Sequence, residues 1–217
     1  MNFFSKPLRL LVIFCLASLP FGASVNAQPA IYVDGTHYET LDTPVRTSDP
    51  AKIEVTEIFW YGCPHCYAFE PLLHSWTEQL PADVTFVRSP GMWNQMMEVH
   101  AQIYYVAEAM GVLDKIHDLA FNEIHQRGNY LQNQGQVKAL FVSQGVNGDD
   151  FDKTWKSFAI SSKVKQASTK MRDYGVRGVP SMVVNGKYRV TAGGALATQA
   201  DVLKVVDFLV QKERKAS

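Results

Sequence analysis

Cys63 and Cys66 stand two residues apart in the run Phe59-Trp60-Tyr61-Gly62-Cys63-Pro64-His65-Cys66-Tyr67. Two thiols at this spacing can close a small, strained disulfide and trade it with another protein. The thiolate is both the attacking and the leaving species in that exchange. His65, between the cysteines, is a candidate hydrogen-bond donor or positive charge beside Cys63. Pro64 removes a backbone donor from the same turn. The competing readings are a structural staple and half of a metal site. So close a pair closes almost no loop, which leaves little chain-entropy stabilisation to gain. A structural zinc site needs four ligands, and only His65 and His74 lie nearby, with no second cysteine pair of this spacing. Redox chemistry with no metal is the expectation.

The elements around the pair must hold it at a helix start. Residues 52–59 form an apolar, β-prone run that reads as a buried central strand. Pro64 suits the first turn of a helix, where a missing N–H costs nothing. That helix should run to about residue 80, with a kink at Pro71. Cys63 then meets the free N–H groups and the positive end of the helix dipole. Cys66, one turn inward, should be more buried and protonated. Residues 84–88 read as a second strand, so the unit is strand–helix–strand.

The middle of the chain changes period. Met96, His100, Ile103, Ala107 and Met110 recur at helical spacing, and so do Leu113, Ile116, Ala120 and Ile124. Val137, Leu140 and Phe141 mark a third helix. Phe151, Trp155 and Phe158 mark a fourth, and Val164, Ala167, Met171 and Tyr174 a fifth that ends at Gly175. Strand signals return in 181–185 and 187–191, on either side of the hairpin dipeptide Asn185-Gly186. Thr198-Gln199-Ala200-Asp201 resembles a capping box for a last helix with Val202, Val205, Val206 and Leu209 on its inner face. The expected division is 28–94 with 176–217 as one α/β domain and 95–175 as an inserted all-helical domain. Residues 28–50, broken by Pro44 and Pro50, read as a loop-rich arm.

The beginning of the chain reads as an export signal. Lys6 and Arg9 precede an apolar stretch, 10–21, too short for a membrane span. Val25-Asn26-Ala27 fits a small-x-small cleavage site, which puts the mature start near Gln28. An uncleaved N-terminal anchor is the alternative. Cys15 lies inside the leader and should leave with it, so the mature chain carries only Cys63 and Cys66. Lysine plus arginine and aspartate plus glutamate number 21 each. No basic stripe appears, which argues against a nucleic-acid partner.

Together, Phe59-Trp60-Tyr61-Gly62-Cys63-Pro64-His65-Cys66-Tyr67, the helical insertion and the run from Arg177 through Gly178-Val179-Pro180-Ser181 to Tyr188 resemble the DsbA family of periplasmic thiol:disulfide oxidases. The resemblance covers nearly all of the mature chain. It implies a thioredoxin fold, βαβ plus ββα, with the helical domain inserted. It also implies a cis Pro180 lying against the disulfide, with the backbone of Val179 pairing with a substrate strand; an ordinary loop proline is the alternative. Glu57, late in the strand that enters the motif, should be partly buried and accept a proton from Cys66. Arg88 should pair with Glu57, although arginine cannot itself relay a proton; two solvated charges at strand ends are the alternative. Glu70 has a counterpart in the family too, or is a plain surface charge. Met92, Trp93, Met96 and Met97 are either core or the lining of an apolar groove beside Cys63, where flexible methionines suit many unfolded clients.

The resemblance further implies an oxidase that rests with Cys63 and Cys66 bridged and gives that disulfide to reduced, newly exported proteins. It would work as a monomer with no bound cofactor, reoxidised by a DsbB-like membrane protein that passes electrons to quinone. A reductase or isomerase of the same fold is the nearest alternative. Pro-His between the cysteines and the lack of a dimerisation-domain signal argue against it. A non-catalytic periplasmic chaperone or metal-binding module is the alternative of another class.

Overall fold

The computed structural model describes Met1 and residues 32–216. The export-signal reading of residues 2–27, the cleavage point and Cys15 lie outside the described residues.

Seven residues, Ile53–Phe59, form β2, and every one of them is buried. Strands on both of its sides bury it, its polar Glu54, Thr56 and Glu57 included. β2 pairs in parallel with β3, Val84–Pro90, from Ile53 opposite Val84 to Phe59 opposite Pro90. That register carries β3 two residues beyond the expected 84–88. β4 (Ser181–Val184) runs antiparallel on the other side of β2, and β5 (Tyr188–Thr191) antiparallel to β4. Asn185 and Gly186 join them with φ of 50° and 63°, the left-handed pair a tight hairpin requires.

The arm contributes a strand that its loop-like composition hides. β1, Glu39–Thr40, pairs with β5 and completes a five-stranded sheet in the order β1-β5-β4-β2-β3. Buried Glu54 also holds the arm. Its carboxylate accepts from the Ser48 N–H at 2.9 Å and from Lys170 Nζ at 2.9 Å.

α1 spans Pro64–Thr77 and continues through Pro71. It stops short of residue 80 because its end tightens into i→i+3 bonds, Gln79 N–H to Trp76 and Leu80 N–H to Thr77. Pro81 then disfavours the helical conformation at Leu80. α2 (Gln95–Ala109), α3 (Leu113–His125), α4 (Gln134–Ser143), α5 (Gly148–Trp155) and α6 (Phe158–Asp173) all lie between β3 and β4 in the chain. Two side chains differ from the expected pattern. Phe158 is not on the inner face of α5: Ser157 caps a new helix there, accepting from Ile160 N–H, and leaves Phe158 85% exposed as its first residue. Met96, at the start of α2, is exposed as well.

α7, Gln199–Ala216, closes the chain. Thr198 and Asp201 cap it reciprocally, each side chain accepting the other's N–H at 3.2 Å. Val202, Val205 and Leu209 pack on the sheet with Phe69 and Leu73 of α1. A second apolar cluster joins Phe59, Tyr61 and Cys66 to buried residues of α2 to α6. Both cysteines belong to this second cluster, while Phe69 and Leu73 further along α1 belong to the first.

Candidate active site

Cys63 is the N-cap residue of α1, with extended φ and ψ of −90° and 116°, and Pro64 follows at the first helical position. No side chain caps this helix end. Its free N–H groups are left for the sulfur. Both cysteines are free thiols, so the structure is that of the dithiol form. The hydrogen bond from the Cys66 thiol is the largest influence on Cys63. Backbone N–H groups of Cys66 and His65 and the charge of His65 add to it. Together they outweigh burial and bring the thiol down from 9.0 to about 6. Cys66 behaves oppositely. It is fully buried, and burial, then its bond to Cys63 and the Glu57 charge, push its thiol far up. Pro64 and His65 are exposed. The His65 carbonyl accepts from Gln199 Nε2 at 2.5 Å, which ties the motif to the start of α7.

The Val179–Pro180 peptide is cis, and Cys63 Sγ lies 3.5 Å from the Val179 carbonyl oxygen. Gly62 is required by close approach: a Cβ there would run into the Trp60 ring.

Beneath the thiols lies a buried charge network. Glu57 is wholly buried rather than partly so. Arg88 reaches from β3 with Nε 3.1 Å from Glu57 Oε2 and a second guanidinium nitrogen 2.8 Å from Glu70 Oε2. Burial, then the Glu70 charge, push Glu57 up to about 8 against the pull of Arg88. The expected role of Arg88 in holding Glu57 ionised is therefore only partly met, because desolvation wins. Glu70 is no surface charge. It also faces His117 Nε2 at 3.3 Å, and His117 and Arg88 hold its carboxyl below the usual range despite burial.

A family model described as "DSBA-like thioredoxin domain" matches residues 82–204. The thiol:disulfide interchange protein DsbA of Pseudomonas aeruginosa is 42% identical over 212 residues, which is 98% of this chain and 99% of that protein. The chain belongs to the DsbA family. It is a thiol:disulfide oxidoreductase of thioredoxin-like fold. DsbA of Pseudomonas syringae pv. tomato is 43% identical over 93% of this chain and 94% of that one. The crystal structure of P. aeruginosa DsbA superposes with a TM-score of 0.81 at 44% identity, covering 85% of this chain and 96% of that one. That of DsbA from Xylella fastidiosa does so with a TM-score of 0.79 at 29% identity, covering 86% and 100%.

In this DsbA-family chain, Met92, which packs against the apolar cluster that contains Cys63, and Trp93 lie just before α2. They line a cleft of about 880 Å³ between the start of α2 and α6, together with Gln95, Glu98, Lys165 and Arg172. Cys63 is not in that lining, and the cleft is of mixed polarity rather than an apolar groove beside the sulfur. Trp93 is 47% exposed, whereas Met97 is buried with its sulfur 3.4 Å from the Trp93 N–H.

Sequence reasoning missed three groups that grip the turn from α2 and α3. His125 Nε2 donates to the Tyr61 carbonyl at 2.8 Å. His117 Nδ1 lies 2.9 Å from the Tyr61 hydroxyl. His100 stacks on Trp60 with ring centroids 5.9 Å apart. The only signal in the sequence was the recurrence of histidines on helices otherwise lined with apolar residues.

Proposed function

We propose that this protein is a disulfide-donating oxidase of the periplasm, exported with cleavage near Ala27–Gln28 and working as a monomer on reduced, newly exported proteins. The observation that carries this reading is the opposed setting of the two thiols: Cys63 at the uncapped N-terminus of α1 and Cys66 fully buried one turn in. Cys63 ionises only in the dithiol form, so every interaction that favours its thiolate favours reduction of the enzyme and oxidation of the client. The division into a thioredoxin-like part, 28–94 with 176–217, and an inserted helical domain, 95–175, belongs to the same reading.

A client thiolate attacks Cys63 Sγ of the disulfide. The S–S bond breaks, a mixed disulfide forms, and Cys66 departs and takes up a proton, with Glu57 as the donor. A second client thiolate then attacks the client-side sulfur, and Cys63 leaves as the thiolate that Cys66 and the helix N–H groups stabilise. Two electrons pass to the enzyme and one disulfide to the client. The backbone of Val179, before Pro180, pairs with the client strand. Exposed Trp93 and Met96, with Met92 behind them, meet its apolar side chains. A DsbB-like membrane protein passes the electrons to quinone, and in that half of the cycle Glu57 acts as base, accepting the Cys66 proton.

The test is the equilibrium constant of the Cys63–Cys66 pair against glutathione. The expected potential is well above that of thioredoxin, which lies near about −270 mV. A value as reducing as thioredoxin's overturns the oxidase reading.

A further inference from the structure

The buried carboxylates under the thiols do not end at Arg88. Glu70 Oε1 and His117 Nε2 face each other at 3.3 Å, and among the described residues neither atom has another hydrogen-bond partner. On the other side of the ring, the Tyr61 hydroxyl sits 2.9 Å from Nδ1. Nε2 faces the carboxylate and Nδ1 the hydroxyl, so the one ring spans both contacts. A continuous line therefore runs from Tyr61 through His117, Glu70 and Arg88 to Glu57. At its far end Glu57 Oε1 is buried without a partner among the described residues. Its charge is felt at Cys66.

We propose that His117 is a positioning residue for the Cys66 half-reaction: from α3 it keeps Glu70 ionised and turned toward Arg88, and so sets the pH above which Glu57 can take the Cys66 proton. The inference rests on the oxidase reading and on Glu57 as proton acceptor. His117 is the largest influence lowering the proton affinity of Glu70, ahead of Arg88. The Glu70 charge is in turn the largest influence after burial raising that of Glu57. Other titratable groups surround the line. Beside His117 they are Tyr104 of α2, Asp114 and Asp118 of α3 and His74 of α1, all lining a cavity of about 700 Å³ with Glu70 and Arg88. Beside Glu57 they are Cys63 and Cys66. None of these others lies between His117 and Glu70.

The sign follows from charge. Without His117, Glu70 is a buried carboxyl with one partner fewer and takes up a proton. Glu57 then loses a negative neighbour, Arg88 is left to Glu57 alone, and Glu57 ionises at lower pH. Glu70→Gln removes the same charge directly. His117→Gln retains an amide donor for Glu70.

The experiment uses the mature protein, reduced and mixed with oxidised glutathione. Cys63 thiolate attacks glutathione disulfide, giving the Cys63–glutathione mixed disulfide and one glutathione thiolate. Cys66 then loses its proton and displaces the second glutathione. Acid quenching and mass spectrometry follow the decay of the mixed disulfide across pH. In the wild type that rate rises with pH, and Glu57→Gln flattens the rise. His117→Leu and Glu70→Gln each move the midpoint to lower pH by at least about half a unit, while His117→Gln keeps it. A merely structural role for His117 lowers thermal stability without moving the midpoint. An unmoved midpoint in His117→Leu, with the Glu57→Gln profile flat, overturns the inference and leaves the oxidase reading standing. If His117→Leu does not fold, an unmoved midpoint in Glu70→Gln overturns it equally. An unchanged profile in Glu57→Gln removes Glu57 as proton acceptor, and the inference with it.

Discussion

Replacing Cys66 with alanine removes the largest single contribution to the acidity of Cys63, the hydrogen bond from the neighbouring thiol. A hydrogen bond to a charged group contributes about 1.5–3 kcal/mol. At about 1.4 kcal/mol per pKa unit, its loss should raise Cys63 by about one to two units. Screening at the solvent-facing end of the helix favours the lower half of that range. Cys66→Ser keeps a donor in the same place and should leave Cys63 close to its value of about 6 in the dithiol form. His65→Ser should raise it less than Cys66→Ala, because the backbone N–H of residue 65 remains and only the side-chain charge goes. The assay is a pH titration of thiolate ultraviolet absorbance on each reduced variant, in which Cys63 is the one thiol or the only acidic one. The expected order of Cys63 pKa is Cys66→Ala, then His65→Ser, then Cys66→Ser. Coincident titrations for Cys66→Ala and Cys66→Ser would mean that the helix terminus alone acidifies the sulfur and that the bond from residue 66 contributes nothing.

The stability of the reduced form relative to the oxidised form should rise with pH from about 6 toward 9, since in this window the native thiol is ionised while the unfolded one holds its proton. Glu57, raised to about 8, works the other way between about 4.5 and 8 in both redox forms, and only the small part of its shift that comes from the Cys63 charge is confined to the reduced one, so the difference between two urea-unfolding series reports chiefly Cys63; a flat difference contradicts the assignment. Arg88→Ala should cost roughly 3 kcal/mol in the same assay, because it leaves two carboxyls buried without their shared cation, and a loss within about 0.5 kcal/mol would show that the pair is solvated. Gly186→Ala should destabilise by more than about 1 kcal/mol, because φ is 63° there and a Cβ would collide with the Val45 carbonyl; an unchanged unfolding midpoint would show that the hairpin can reshape.

The parts of the site that were legible in the chain were those whose physics is local. Pro64 at a helix start places Cys63 at the N-terminus and Cys66 one turn in, and Asn185-Gly186 and Thr198 announce their turn and cap through their own backbone preferences. The misreadings have non-local causes. β1 is two residues long and exists only because β5 offers it an edge. Phe158 shares the spacing of Phe151 and Trp155, but the Ser157 cap starts a new helix and turns it outward. The full burial of Glu57 could not be read from its neighbours. It depends on β3 and β4 flanking β2 on both sides.

From the sequence by itself came the nucleophile, its place at a helix end and the expectation that its partner thiol is the more protonated one, because spacing of two residues on a helix is enough to dictate all three. Tertiary structure alone decided how deeply Glu57 is buried and that His117 joins Glu70 in the charge network beneath the thiols. Glu57, Glu70, Arg88 and His117 come from four different elements, and the affinity of a carboxyl for its proton is set by the water excluded from around it and the charges a few ångströms away. Both depend on how the chain packs, and neither is a property of neighbouring letters.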